Sequence, residues 1–333
     1  MQFFDAAATR AALPFDGLVH ALRERFAAGD VDVPTRHVHE MPQPLVPAGS
    51  AAGPQHMTSL IMPAWLPGRY YGVKIVNIAP GNAGQGLPGL HATYLLFDAR
   101  TGVPLAQMDG DEITARRTVA ASALAGSFLA RADAGHLLVV GGGRVARLLP
   151  AAWRTVRPIR RVSVWTRHPA QAQALADSWR SQGLEARACT QLEAACGEAD
   201  IVSCATLAAE PVVRGAWLAP GSHLDLIGSF TPLMREADDA CLRHARLFVD
   251  TEEALKKSGD LLQPIRQGML RTEDVCGTLT TLSRGLAAGR RDPTERTVFK
   301  SVGYALEDLV AAMLVYEAAV PSSSLPRPGD SGA

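Results

Sequence analysis

The chain has 333 residues, more than one core usually serves and comfortable for two domains. Hydrophobic residues make up 47%, which excludes wholesale disorder, and an aromatic content of 6% suits an α/β fold better than an all-β sandwich. Lys+Arg and Asp+Glu both total 33, so the electrostatic footprint of a nucleic-acid binder or a polybasic membrane-surface protein is lacking, while a local cationic pocket stays compatible with neutrality.

Residues 1–117 read as α+β with antiparallel strands. Strand-like runs cover 71–76, 92–98 and 103–108, with a hairpin turn at 99–102. From residue 118 the rhythm changes. Apolar runs recur at 136–140, 161–165, 185–189, 201–205, 223–228 and 246–250, most of them separated by room for a helix. Strands covered on both faces read this way, and six of them alternating with helices fit a doubly wound parallel sheet. Another α/β arrangement would share the periodicity. In 297–320, Phe299, Val302, Leu306, Leu309, Val310 and Met313 recur at helical spacing and predict one long helix with one apolar face. The Pro/Ser/Gly-rich segment 321–333 is expected to be a disordered tail.

The five cysteines (Cys189, Cys196, Cys204, Cys241, Cys276) are widely spaced and form no C-x-x-C, which argues against a disulfide scaffold or zinc knuckle and for a reducing compartment. Residues 1–5 show no basic region of a signal peptide, and the apolar stretch 309–316 is too short to span a bilayer. A soluble, cytoplasmic protein without nucleic-acid or membrane partners is expected.

The first apolar run of the second stretch ends in Gly141-Gly142-Gly143-Arg144-Val145-Ala146, a G-x-G-x-x-A between a predicted strand and a predicted helix. Gly141 permits the tight turn, Gly143 admits a pyrophosphate, and Ala146 lets helix and sheet pack closely. Phosphates would sit on the helix N-terminus, where free N–H groups and the helix dipole favour anions. An NAD site usually carries an acid after the second strand. Here the segment reads Trp165-Thr166-Arg167-His168, so Arg167 is a reader for a 2′-phosphate and NADP is preferred over NAD, or else Arg167 is a solvated surface residue. Ala205-Thr206 and Gly228 to Pro232 fall after the fourth and fifth strands, where doubly wound folds place ligands. Pro150 predicts a short or kinked helix after Leu149.

Three cations stand out before the glycine loop: Arg36, Lys74 and Arg117. A lysine inside an apolar strand is costly to bury unless paired or working. Together the three are candidates to hold a substrate carboxylate, although on sequence alone a salt-bridged or snorkelling side chain is the commoner reading of each. His37 and His39 share a strand face, but no third metal ligand is evident. No histidine partner can be assigned to Cys204.

The order and spacing of several segments resemble the ornithine cyclodeaminase/mu-crystallin family over residues 34–311. They are Lys74-x-x-Asn77, Gly86-Leu87-Pro88, Asp98-x-x-Thr101-Gly102-x-Pro104, 114–118, the Gly141 loop, 228–236, Gly259-Asp260-Leu261 and 297–303. The resemblance implies a Rossmann-type doubly wound parallel sheet (118–298) inserted into an α+β substrate and dimerisation domain (1–117 plus 299–320), a homodimer, and a site in the interdomain cleft. It implies that Arg36, Lys74 and Arg117 grip the substrate carboxylate, that Lys74 also handles protons, and that Phe299, Lys300 and Ser301 lie near the nicotinamide of NADP or NAD.

Departures bear on the reaction. Cyclodeaminase members carry G-G-D-x-P after the fifth strand; here Phe230 takes the place of the acid, Gly89 that of a threonine and Met234 that of a lysine. Reductase members work without that acid, passing hydride from NAD(P)H to a cyclic ketimine carboxylate. Such a site needs a carboxylate clamp, a hydride donor and an apolar ring pocket, for which Phe230 and Met62 are candidates. The leading reading is reduction of pyrroline-2-carboxylate or piperideine-2-carboxylate to proline or pipecolate. The alternatives are an ammonia-releasing ornithine cyclodeaminase using Asp109 or Asp111, and a non-catalytic NADP-binding module.

Overall fold

The computed structural model describes residues 1–42 and 56–321, so the expected tail beyond Pro321 lies outside the described residues. The chain divides into two compact units. One comprises Met1–Leu18, Asp30–Arg117 and the chain from Ala305 onward; the other comprises Val19–Gly29 and Thr118–Tyr304. Two stretches fall differently from the expected division: 19–29 and 299–304 both belong with the second unit.

The first unit begins with strand β1 (Gln2–Phe4), helix α1 (Ala6–Ala11) and the start of α2 (Phe15–Ala28). Strands β2 (His37–Pro42), β3 (His56–Leu66), β4 (Tyr70–Ile78), β5 (Leu90–Asp98) and β6 (Pro104–Asp109) follow, then the first turns of α3 (Gly110–Leu129). The six-stranded sheet has the order β1-β6-β5-β4-β3-β2; β2 to β6 form an antiparallel meander and β1 pairs parallel with β6. The β5–β6 turn is where the sequence put it. Asp98 Oδ1 accepts from the N–H groups of Arg100 (2.8 Å) and Thr101 (3.1 Å), and Gly102 supplies the positive φ of +72°. Those members of the Asp98-x-x-Thr101-Gly102 motif are thus spent on the turn.

The second unit continues with β7 (His136–Val140), α4 (Arg144–Trp153), β8 (Arg161–Trp165), α5 (Pro169–Ser181), β9 (Glu185–Ala188), α6 (Leu192–Glu198) and β10 (Ile201–Cys204). After these come β11 (His223–Leu226), β12 (Ala245–Val249), α7 (Ala254–Lys257), α8 (Gly259–Arg266), β13 (Val275–Thr278), α9 (Leu279–Ser283) and β14 (Arg296–Lys300). Its eight strands are all parallel, in the order β13-β12-β14-β11-β10-β7-β8-β9. The order reverses between β7 and β10, the switch point of a Rossmann-type sheet. All six expected runs are strands. The two additional strands are β13, too short and polar to stand out, and β14.

β14 corrects the expected helix over 297–320. Thr297, Val298, Phe299 and Lys300 are all buried between β11 and β12, which is what a central parallel strand requires, and the helical spacing of Phe299 and Val302 is coincidental. Gly303, at φ +82°, separates the strand from helix α10 (Ala305–Ala319). α10 packs on β3 and β4 of the first unit and is buried on nearly every side, not along one face. Its buried residues include Glu307 and Asp308, both 0% exposed. α4 runs past Pro150 to Trp153, whose ring is buried beside Gly126 and His223. No helix among the described residues is long and apolar enough to cross a membrane.

Candidate functional site

In the first unit, strand alternation puts Lys74 on the buried face of β4 with Tyr70, Gly72 and Val76. Its cross-strand neighbours are Met62 on β3 and Tyr94 on β5, both buried. The Lys74 ammonium, 1% exposed, donates to Asp308 Oδ1 at 2.7 Å. Arg117 on α3 donates from Nε to that same oxygen at 2.8 Å and from Nη1 to Glu307 Oε2 at 2.7 Å. Burial pushes the Lys74 pKa down to about 8; Asp308 opposes the shift, while the charges of Arg117 and Arg36 add to it. Burial also disfavours charge on Arg117, but Asp308 and Glu307 outweigh it and raise the guanidinium's pKa. Asp308 is held below the usual carboxylate range because Arg117 and Lys74 overcome its burial.

The fold therefore brings the three predicted cations within electrostatic reach of one another. Lys74 and Arg117 face Asp308 and Glu307, and the charge of Arg36 also reaches Lys74. Among the described residues, one hydrogen bond is made by the three Lys74 donors, which leaves donors for a further anion. Sequence reasoning missed Glu307 and Asp308. The available signal was two adjacent acids inside the apolar run Leu306–Met313.

In the second unit, the Gly141 loop joins β7 to α4. Gly141 has φ +127°, and a Cβ there would lie 2.4 Å from Ala205 O, so the loops after β7 and β10 touch at this point. Gly143 is exposed and a Cβ there would meet nothing within 4 Å, while Ala146 is fully buried under α4. An open glycine at the N-cap of a ten-residue helix fits a pyrophosphate. Arg144 and Val145 open that helix. At the end of β8, Thr166 is buried and donates to His168 O at 2.7 Å; Arg167 and His168 are exposed.

Glu236 fastens the loops after β10 and β11 together. Its Oε1 accepts from Thr206 N (2.6 Å) and Thr206 Oγ1 (3.0 Å), and its Oε2 accepts from Gly228 N (2.6 Å). A Cβ on Gly228 would lie 1.8 Å from Thr206 O, so only glycine fits between these loops. Asp260 Oδ1 accepts from the N–H groups of Glu236 (2.8 Å) and Ala237 (3.1 Å). Asp250 Oδ2 accepts from Val302 N and Gly303 N, both at 2.7 Å. Lys300 is fully buried, donating to Leu226 O at 3.0 Å and lying 3.6 Å from Asp260. The Phe299 and Lys300 side chains are thus enclosed, so any effect they have on a nucleotide is indirect; Ser301 follows them, also buried. Phe230 is half-buried and packs on the unit's apolar core.

The family model for the ornithine cyclodeaminase/mu-crystallin family matches residues 48–323. The chain belongs to the ornithine cyclodeaminase/mu-crystallin family. A Delta(1)-pyrroline-2-carboxylate reductase of Paracoccus denitrificans is 43% identical over 84% of this chain and 89% of that protein. The structure of the Thermococcus litoralis Delta(1)-pyrroline-2-carboxylate reductase in complex with NADH and L-proline superimposes with a TM-score of 0.87, at 33% identity, covering 96% of this chain and 97% of that one. An archaeal alanine dehydrogenase dimer with bound NAD gives a TM-score of 0.85 at 29% identity, with 96% of each chain covered.

Family membership sharpens the departures. Phe230 stands where the resemblance places the cyclodeaminase acid, and Glu236 and Asp260 spend oxygens on backbone N–H groups of their own unit. Asp109, the alternative acid, uses Oδ1 to accept from Glu112 N at 2.7 Å at the start of α3. Cys204 is fully buried, and burial first, with Glu236 second, pushes its thiol pKa well up, the opposite of a poised nucleophile. His37 and His39 stack on β2 with ring centroids 6.4 Å apart, and no group of three metal-ligating side chains occurs among the described residues.

Proposed function

We propose that this chain is an NAD(P)H-dependent reductase of cyclic ketimine carboxylates, taking pyrroline-2-carboxylate or piperideine-2-carboxylate to proline or pipecolate. The observation that carries this reading over cyclodeamination is Phe230. A phenyl ring cannot move the protons that ammonia release and ring closure demand, whereas imine reduction does not need them moved there.

The roles follow from the chain's own groups. Gly141, Gly143, Arg144, Val145 and Ala146 hold the pyrophosphate at the start of α4. Thr166, Arg167 and His168 take the adenosine ribose. Ala205, Thr206 and Gly228 form the edge of the site beyond the switch point, backed by Phe299, Lys300 and Ser301. When bound, the reduced nicotinamide supplies the hydride. Arg36, Lys74 and Arg117 bind the substrate carboxylate and fix its orientation. Lys74, with a pKa near neutrality, can also carry a proton for the imine nitrogen. Met62 and Phe230 offer apolar surface to the ring methylenes. The active form is a homodimer in this reading, in keeping with the dimeric archaeal relative.

The test is absorbance at the reduced-nicotinamide band, with pyrroline-2-carboxylate and either NADPH or NADH. Loss of absorbance matching proline formed, mole for mole, is the expected result. No loss with either nucleotide, together with ammonia release from ornithine under catalytic NAD, would overturn the reading. Arg167 is exposed and carries no acidic neighbour in its loop, so NADPH is expected to be preferred. Arg167→Ala should lower kcat/KM for NADPH about tenfold and leave NADH within about twofold, as expected for one charge-assisted contact to a phosphate. Equal changes with both nucleotides would remove Arg167 from the role.

A further inference from the structure

We infer that Glu236 is a positioning residue for nucleotide binding, its ionised carboxylate fastening the loop after β10 to the loop after β11. The inference rests on the proposed dinucleotide site. Both loops leave the carboxyl ends of central strands, where doubly wound folds hold their ligands. Glu236 reaches them from the far end of the 228–236 segment and accepts from Thr206 N, Thr206 Oγ1 and Gly228 N, three donors on two oxygens. It is fully buried, so water cannot replace a lost acceptor. Its own backbone is set by Asp260, whose Oδ1 receives the Glu236 and Ala237 N–H groups. The geometry works only for an acceptor at both oxygens. An amide would turn a hydrogen towards one of these donors, and protonation would remove the charge that strengthens the bonds, so the tie between the loops would weaken in either case.

The charged and titratable groups facing this carboxylate are Lys300 from β14, Asp260 from α8 and the buried thiol of Cys204 from β10. Burial raises the Glu236 pKa, Lys300 opposes and Asp260 adds to the rise, and the backbone donors oppose it, leaving it at about 7. The carboxylate is therefore ionised above about 7 and protonated below, and the loops should lose their tie as the pH falls through that range.

The experiment is direct titration of purified protein with NADH, followed by nicotinamide fluorescence from pH 5.5 to 8.5. NADH carries no 2′-phosphate to titrate in this range. Wild-type affinity should fall on the order of tenfold between the alkaline and acidic limbs, the scale of one buried hydrogen bond to a charged acceptor. Glu236→Gln should bind about tenfold more weakly at pH 8 and show a flat profile, while Glu236→Asp, which keeps the charge, should retain the slope. A variant that binds like wild type, with the same slope, would overturn the inference. Should Glu236→Gln fail to fold, the wild-type profile decides: a flat one overturns the inference. Wild-type protein that binds no NADH at any pH would instead overturn the proposed function.

Discussion

Arg117→Ala is expected to lower the unfolding free energy by about 3–5 kcal/mol, the usual cost of removing one partner from a buried ion pair. Arg117 spends two nitrogens on two carboxylates that are both 0% exposed. Alanine leaves Glu307 without this guanidinium and Asp308 with Lys74 alone. The same change removes a guanidinium from the carboxylate clamp, so kcat/KM for the cyclic imine should fall by about a hundredfold or more, as truncating a buried charged contact does. Arg117→Lys keeps the charge but loses the two-pronged geometry and should recover stability more fully than activity. Urea unfolding midpoints and steady-state kinetics on the three proteins decide the matter. An unchanged midpoint would show that the cluster carries no stability, and an unchanged kcat/KM would remove Arg117 from the substrate site.

Lys74→Met should separate activity from stability. Without Lys74, Arg117 still donates to both Asp308 and Glu307, and methionine fills a site already flanked by Met62. The folded pKa of Lys74 is about 8 against an ordinary value of 10.5, so between those limits the unfolded chain binds more protons than the folded one. The penalty of burying the charged ammonium is thus fully present below about 8 and is relieved as pH rises towards 10.5. The variant should be at least as stable as the parent at pH 7 and lack this group's gain in stability at alkaline pH. Activity should move the other way, with kcat/KM down about a hundredfold at pH 7. Affinity for a carboxylate competitor should decline in the parent as pH rises through about 8, because Lys74 loses its charge, and stay level in the variant. Parallel pH profiles of parent and variant would show that Lys74 does not contact the carboxylate.

The two halves of this protein were unequally legible. The glycine loop and the six apolar runs were readable because a parallel strand buried on both faces leaves a continuous apolar signature, and because the turn and helix start impose local demands on Gly141, Gly143 and Ala146. β14 was not, since Thr297 to Lys300 are too few to fix a period and their neighbours happen to repeat at helical spacing. Lys74 announced itself as a charge in an apolar strand. Asp308 and Glu307 did not, although they hold the same cluster together, because their partners lie 234 and 190 residues away in the chain. Glu236 stood inside a recognisable motif, but nothing local said that its carboxylate ties the start of its own segment, at Gly228, to Thr206 in the loop after β10.

What the sequence determined by itself was therefore local: the strand runs, the phosphate-loop turn, the absent acid at Phe230 and the costly lysine at position 74. Each is a property of a few neighbouring residues and their intrinsic chemistry. Only the tertiary structure decided which charges meet. Pairing Lys74 and Arg117 on one oxygen of Asp308, and three donors on Glu236, depends on strand order and helix packing that bring distant segments within 3 Å. Burial then sets what those groups do, since the same low-dielectric surroundings that make an unpaired charge expensive also move the Lys74 and Glu236 pKa values towards neutrality.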